Sequence, residues 1–335
     1  MRKMWKLGVI AMVGFMVLAA LALGCVTLPA SVAPAEPVEM ATLWVNGEPQ
    51  ILSETESSAN SVLVSDGNVY VVGSENGRAT LWINGVSQTL SNTESSAHAI
   101  YVSDSGVYIV GTVGRLRDRR ATLWVNGTPQ TLSNMESLAL DIHVSGSDVY
   151  VVGHVFGGGT TSERLASRRA TLWVNGAPQS LSNILSFASS VFISSGDVFV
   201  AGSIGLGTDN RATLWVNGVP QTLHNTWSSA RSVFISDSNV YVAGDVIGSQ
   251  GSGRATLWIN GVPQTLSNTE SSAHSVFVSG SDIYVAGSIE GDRQPERGVL
   301  WVNGVSQILS TMESFAGSVF VYADDVFVVG SITRW

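Results

Sequence analysis

Two lines of sequence that each recur seven times, and an Asn-Gly hairpin signal inside one of them, predict an all-β protein: a seven-bladed β-propeller of four-stranded antiparallel blades. The first line reads Ala-Thr-Leu-Trp-Val/Ile-Asn-Gly-x-Pro/Ser-Gln-x-Leu. Its Trp stands at Trp44, Trp82, Trp124, Trp173, Trp215, Trp258 and Trp301, at spacings of 38, 42, 49, 42, 43 and 43. The second line, Ser-Val-Phe-Val-Ser-x-x-x-Val-Tyr-Val-x-Gly, ends at Gly73, Gly111, Gly153, Gly202, Gly244, Gly287 and Gly330.

Each repeat holds four strand signals. The run SVFVS is β-branched and aromatic, and a turn such as Asp66-Gly67-Asn68 follows it. VYVAG is the second strand, closed by its Gly. ATLWVNG is the third, and its Asn-Gly suits a type I′ turn, which needs positive φ at both central residues. PQTLS is the fourth. Proline in a central strand would delete a ladder hydrogen bond, so Pro49, Pro129, Pro178, Pro220 and Pro263 mark an edge strand. Apolar residues on both strand faces fit a blade pressed between two neighbours. Hairpins at this spacing disfavour a parallel β-helix, and the period-two runs disfavour a leucine-rich repeat.

Ring closure follows from register. The domain opens on a third and fourth strand (41–47 and 49–53) and ends on a first and second (318–322 and 326–330). One seam blade therefore takes two strands from each end of the chain, which ties down both termini. The tail Ser331–Trp335 reads as the start of another third strand, lying beside residues 41–44.

The chain has 335 residues, of which 44% are hydrophobic and 13% charged, enough for a large core. Residues 1–25 combine Arg2, Lys3 and Lys6 with an apolar run and carry no acidic residue. The remainder holds 14 Arg and no Lys against 26 acidic residues, a net charge of −12. Such a body argues against nucleic acid as a general partner. The run could span a bilayer as a helix. Leu21-Ala22-Leu23-Gly24-Cys25, however, resembles the lipobox of bacterial lipoproteins, with Ala22 where that family usually has Leu. The resemblance implies a signal peptide over 1–25, lipidation of Cys25, and an exported protein whose N-terminal lipid holds it in the cell envelope, at the outer membrane or cell surface rather than the inner membrane. Cys25 is the single cysteine, so the chain forms no internal disulfide. Residues 26–40 are Pro/Ala-rich and read as a tether.

Over residues 41–335 the order VYVxG, loop, Trp strand, outer strand resembles kelch-type blades, and more closely the "YVAG…WxNG" repeats of exported bacterial propellers. One Gly stands where kelch repeats carry a pair.

Strand direction places the loops from second to third strand, and from fourth strand to the next blade, on one face, here called the top. The longer, variable loops are there, as binding loops on a rigid scaffold usually are. Two neighbouring top loops carry Arg115, Arg117, Arg119 and Arg120, and Arg164, Arg168 and Arg169. Guanidinium groups suit carboxylate, sulfate or phosphate; the plainer expectation pairs them with Asp118 and Glu163. Arg recurs before the third strand (Arg78, Arg120, Arg169, Arg211, Arg254), and Glu recurs between blades (Glu56, Glu94, Glu136, Glu270, Glu313). Repetition favours Arg–Glu pairing between blades over a carboxylate ring. Leu185 and Trp227 interrupt the Glu column, with Phe187 nearby, and an unpaired Trp on this face offers a stacking platform. The seven repeated Trp are packing residues.

No catalytic residue set is legible. His98, His143, His154, His224 and His274 show no metal-ligand spacing, and no nucleophile or phosphate-loop motif is present. No cofactor is expected. The expected function is an envelope module that binds a protein or glycan through its top-face loops. A glycan-active hydrolase or lyase and a purely structural envelope protein are the alternatives.

Overall fold

The computed structural model describes residues 36–248, 251–291 and 295–335. The signal segment, Cys25 and most of the tether lie outside them. The described residues form seven four-stranded antiparallel sheets arranged as a β-propeller. Six blades run in chain order over 57–89, 95–131, 137–180, 186–222, 228–265 and 271–308, and are called blades 1 to 6. The seam blade joins Val38–Val45 and Glu48–Ile51 to Ser314–Tyr322 and Asp325–Arg334.

The first strand of each blade lies innermost. It is nine residues long, Ser57–Ser65 in blade 1, and begins at the Ser directly after Glu56 rather than at the SVFVS run. A bulge interrupts all seven, between Ala59 and Ser61 in blade 1. The bulge explains the Gly that ends each VYVxG line. At Gly73 a Cβ would drive into the Ser58 carbonyl oxygen, and at Gly202 into that of Phe187. Only Gly lets the second strand approach so closely.

The third-to-fourth turns have the predicted geometry: Asn84 and Gly85 sit at φ 50° and 81°. The Asn side chain also ties two turns of one blade together. Asn84 Oδ1 accepts from Val69 N–H at 2.9 Å and its Nδ2 donates to Asn68 Oδ1 at 2.8 Å. Asn175 does the same with Val149 and Asp148.

The fourth strands are fully exposed. Leu52 N–H bonds to Ala41 O, so alternation turns the Pro49 position away from the ladder. Proline there removes no ladder bond and closes the edge to further pairing.

The seven Trp are fully buried between blades. Trp82 packs on Val62 and Val71 of its own blade and on Ala41, Leu43 and Val329 of the seam blade. Burial of one such indole contributes about 4–6 kcal/mol before entropy is counted. Trp44 and Trp215 also donate their indole N–H to Leu309 O and Leu181 O of the preceding blade, both at 3.1 Å. A second inter-blade link was not legible in the repeat. The Ser57 hydroxyl accepts from Ala41 N–H of the seam blade and donates to Thr55 O. The same Ser closes every other blade junction, at Ser95, Ser137, Ser186, Ser228, Ser271 and Ser314.

Two expectations shift at the seam. The strand starts at Val38, so residues 38–40 of the segment read as tether belong to the sheet. The tail does not begin another third strand. Residues 331–334 continue the second strand and pair with 38–41, Ser331 opposite Ala41 and Arg334 opposite Val38. The expected closure of the ring by both ends of the chain holds.

Candidate functional site

The candidate site is the top face, where the repeat breaks. Loop 114–119 of blade 2 contains a 3-10 turn, Leu116–Asp118. The longer loop of blade 3 carries a short helix, Thr161–Ala166, started by a capping box in which Thr160 and Glu163 satisfy each other. Glu163 is therefore spent on the cap and does not pair with an arginine of these loops, as had been expected.

The arginines gather on Glu136 instead. Arg119 Nη2 lies 2.9 Å and Arg164 Nη1 2.6 Å from Glu136 Oε1, whose side chain is only 7% exposed. Arg115 pairs with Glu94 at 2.9 Å on the exposed rim. Arg168 makes no ion pair among the described residues. It stacks on Phe187 with Cζ 3.4 Å from the ring centroid, and lies 5.4 Å from that of Phe156. Arg164 and Arg119 share the Phe156 ring at 4.9 and 5.8 Å. Burial, with the Arg164 and Arg119 charges, brings Arg168 down to about 10. His154, edge-on to Phe156, is driven to about 3 by burial and then by Arg168, Arg119 and His98, and is neutral. Glu136 Oε2 and the Nε groups of Arg164 and Arg168 are buried without hydrogen-bond partners. Arg115, Leu116, Arg117, Asp118, Arg119, Glu136 and Arg164 enclose a cavity of about 540 Å³.

The repeated Arg–Glu columns do not pair with one another as expected. Arg120, Arg169 and Arg211 fold back onto carbonyls of their own loops, such as Arg117 O, Ala166 O and Thr208 O. A planar, five-donor guanidinium suits that role. The Glu column is engaged at Glu94 and Glu136, by arginines outside the repeated column.

Trp227 is half-buried. Its carbonyl accepts from Ile247 N–H at 2.8 Å, which fixes it as an extension of the blade 5 inner strand. The side chain stands between two cavities. One, about 240 Å³, is lined by Phe187, Ser189, Ser203, Leu206, Asn210, Trp227, Ser229 and Arg231. The other, about 260 Å³, is lined by Trp227, Arg231, Asp245, Glu270, Glu290 and Glu296 among others. Arg231 Nε bonds Asp245 Oδ1 at 2.8 Å in the shared wall. Asn210 Nδ2 donates to Ser228 O, leaving its buried Oδ1 without a partner.

The structure thus brings Arg115, Arg117, Arg119 and Arg164 into one cavity and Phe187 and Trp227 into another, with Arg168 stacked between them on Phe187. Sequence reasoning missed Phe156, Arg231, Asp245 and Asn210. A signal for two was present: Arg231 and Asp245 break the repeat where blade 6 has His274 and Ser288. His98 and His274 lie within inner strands and bond the Ala139 and Ala316 carbonyls of the next blade. Among the described residues no group of three or more His, Cys, Asp or Glu could hold a metal ion.

The described part of the chain is a closed seven-bladed β-propeller carrying a basic and an aromatic cavity on one face. No family model matches the chain, and no curated protein matches it in sequence. Its likeness to solved structures is one of fold. The β-propeller domain of the trilobed protease from Pyrococcus furiosus is 12% identical, covers 78% of this chain and 86% of its own, and superposes with a TM-score of 0.50. That propeller is described as having an open velcro topology, whereas the seam blade here is built from both chain ends. A TolB protein from Agrobacterium tumefaciens is 10% identical over 89% of this chain and 99% of its own, at 0.49. An acylaminoacyl peptidase from Pyrococcus horikoshii is 15% identical over 79% and 46%, at 0.49. The chain spans about half the length of that peptidase and of a Mycobacterium tuberculosis puromycin-hydrolysing peptidase, of which 56% is covered.

Proposed function

We propose that the protein is a lipid-anchored envelope module that binds a protein or glycan through the top face of its propeller. The fold supports the binding part of this reading, since propellers present variable loops on a rigid ring. The observation that carries it is local: the Arg115–Arg164 cavity, Phe187 and Trp227 lie together where blades 2 to 5 depart from the repeat. The anchor rests on the lipobox-like Leu21–Cys25 and on nothing in the described residues. Kinship with kelch-like repeats rests on the motif residues alone.

The test uses the full chain, extracted in detergent, as bait for envelope extracts. Wild type should retain a ligand that Trp227→Ala and deletion of 157–167 both lose while melting normally. A ligand kept by both variants would place binding elsewhere. For the anchor, intact mass should show diacylglycerol on Cys25 that Cys25→Ser abolishes.

One observation favours the enzymatic alternative. Asp245, Glu270, Glu290 and Glu296 line a single cavity beside Trp227, as a hydrolase of glycosidic bonds would require of its acid and base. Turnover of a retained glycan, abolished by Glu270→Gln or Glu290→Gln, would establish it.

A further inference from the structure

The basic cavity and the Trp227 groove differ in chemistry, and the contrast narrows the ligand. The two top loops of blades 2 and 3 hold seven arginines, with Glu94, Asp118, Glu136 and Glu163 beside them. Glu163 is committed to Thr160, and a single carboxylate oxygen of Glu136 serves both Arg119 and Arg164. Among the described residues the Arg168 guanidinium makes no ion pair and lies on ring faces. In these two loops the arginines outnumber the carboxylates, on a molecule whose remainder is acidic. Forked donors in such excess fit an oxyanion from outside.

The neighbouring cavity offers other chemistry. Phe187 and Trp227 supply ring faces, and Ser189, Ser203 and Ser229 supply small hydroxyls. Asn210, 8% exposed, keeps an unused acceptor in that wall. Aromatic faces beside compact donors and acceptors match a pyranose ring, which is apolar on its C–H face and hydroxylated at its rim. Arg168 joins the two cavities by lying on the Phe187 ring.

Resting on the top-face reading above, we propose that the ligand is an acidic polysaccharide. Its sugar rings lie on Phe187 and Trp227, and a carboxylate or sulfate a residue or more along the chain enters the cavity of Arg115, Arg119 and Arg164. Arg119, Arg164 and Glu136 form a preassembled receptor, with both guanidinium groups held against Phe156 before any ligand arrives, which lowers the ordering cost of binding. The arginine cavity supplies the preference for charge and the aromatic cavity the preference for a sugar.

The experiment titrates the full-length protein in detergent with oligogalacturonate, neutral dextran and inorganic phosphate. Oligogalacturonate should bind, at least about tenfold more tightly than dextran. Raising salt from about 0.05 to about 0.5 M should weaken it severalfold, since screening shortens the reach of the exposed arginines. The exposed pair Arg115→Ala/Arg117→Ala, and separately Trp227→Ala, should each weaken it about tenfold while keeping the wild-type melting temperature. Equal binding of dextran, no binding of oligogalacturonate, or indifference to both variants would overturn the proposal. Phosphate displacing oligogalacturonate with no contribution from Trp227 would also overturn it, leaving an anion site without a saccharide. Retention of some other envelope ligand through Trp227, alongside failure of oligogalacturonate, would leave the top-face reading standing and sink this one.

Discussion

At the scale of single residues, the inner wall of the ring carries its unusual ionisable groups. Asp141 sits where blades 4, 5 and 6 have Ser190, Ser232 and Ser275. Those hydroxyls accept a backbone N–H of the next blade, as Ser190 does from Val233 at 3.2 Å. Asp141 keeps the link, accepting from Val191 N–H at 2.9 Å, and from Ile142 at 2.8 Å. Burial nevertheless pushes its carboxyl up to about 6, past what those bonds recover. A carboxyl whose pKa is raised by folding costs stability above that value and nothing below its unfolded pKa near 3.8. Asp141→Ser should therefore raise unfolding stability at pH 7.5 by about 1–3 kcal/mol, and the gain should vanish near pH 4 in paired melts. The histidines act the other way. Burial lowers His143 and His274 to about 4 and His154 to about 3, so their contribution is intact above about pH 6.5 and is lost as pH falls toward those values. His143 occupies the ring position held by Tyr101, Phe192, Phe234, Phe277 and Phe320, whose centroids follow one another at 4.7–5.1 Å. His143→Phe should complete that aromatic run and reduce the loss of melting temperature between pH 7 and 4.5. An unaltered pH slope would show that His143 protonates freely in the fold.

At the scale of elements, the repeat made strand order, hairpin type and edge strand readable, because each depends on a local rule of sequence. The inner-strand bulge was not readable. It arises from a long-range fit between two strands, and its trace in the sequence is a Gly that reads equally well as a strand terminator. Gly202→Ala should cost at least about 3 kcal/mol, since the new methyl meets the fixed Phe187 carbonyl rather than a side chain that can turn away. Chemical denaturation would measure it, and a loss under about 1 kcal/mol would mean that the bulge relaxes. Asn175→Ala should cost about 1–2 kcal/mol. It loses two hydrogen bonds and places Ala at φ 51°. The candidate site was half legible for a related reason. Arg115, Arg164, Phe187 and Trp227 stood out as departures from a repeat. Which carboxylate the arginines would choose depended on a capping box that diverts Glu163 and on the burial of Glu136, neither of which spacing reveals.

At the scale of the whole molecule, blade count and closure followed from counting strand pairs, and only the exact seam escaped. The seam strand gains three residues at its start because the chain's last residues lengthen their own strand to meet them, Ile332 opposite Met40 with both buried. Removing residues 331–335 should thus lower the melting temperature by several degrees without changing the spectrum of the folded ring. A larger collapse would show that the remaining pairs cannot close it. The seam has a mechanical consequence as well. The chain enters the ring at Val38, in a strand hydrogen-bonded on one side to Asp325–Arg334 and on the other to Glu48–Ile51. Tension on the N-terminal end pulls along that strand, across bonds that lie perpendicular to it. Both ladders are loaded in shear together instead of peeling one rung at a time. A ring hung from this point resists force through many bonds at once.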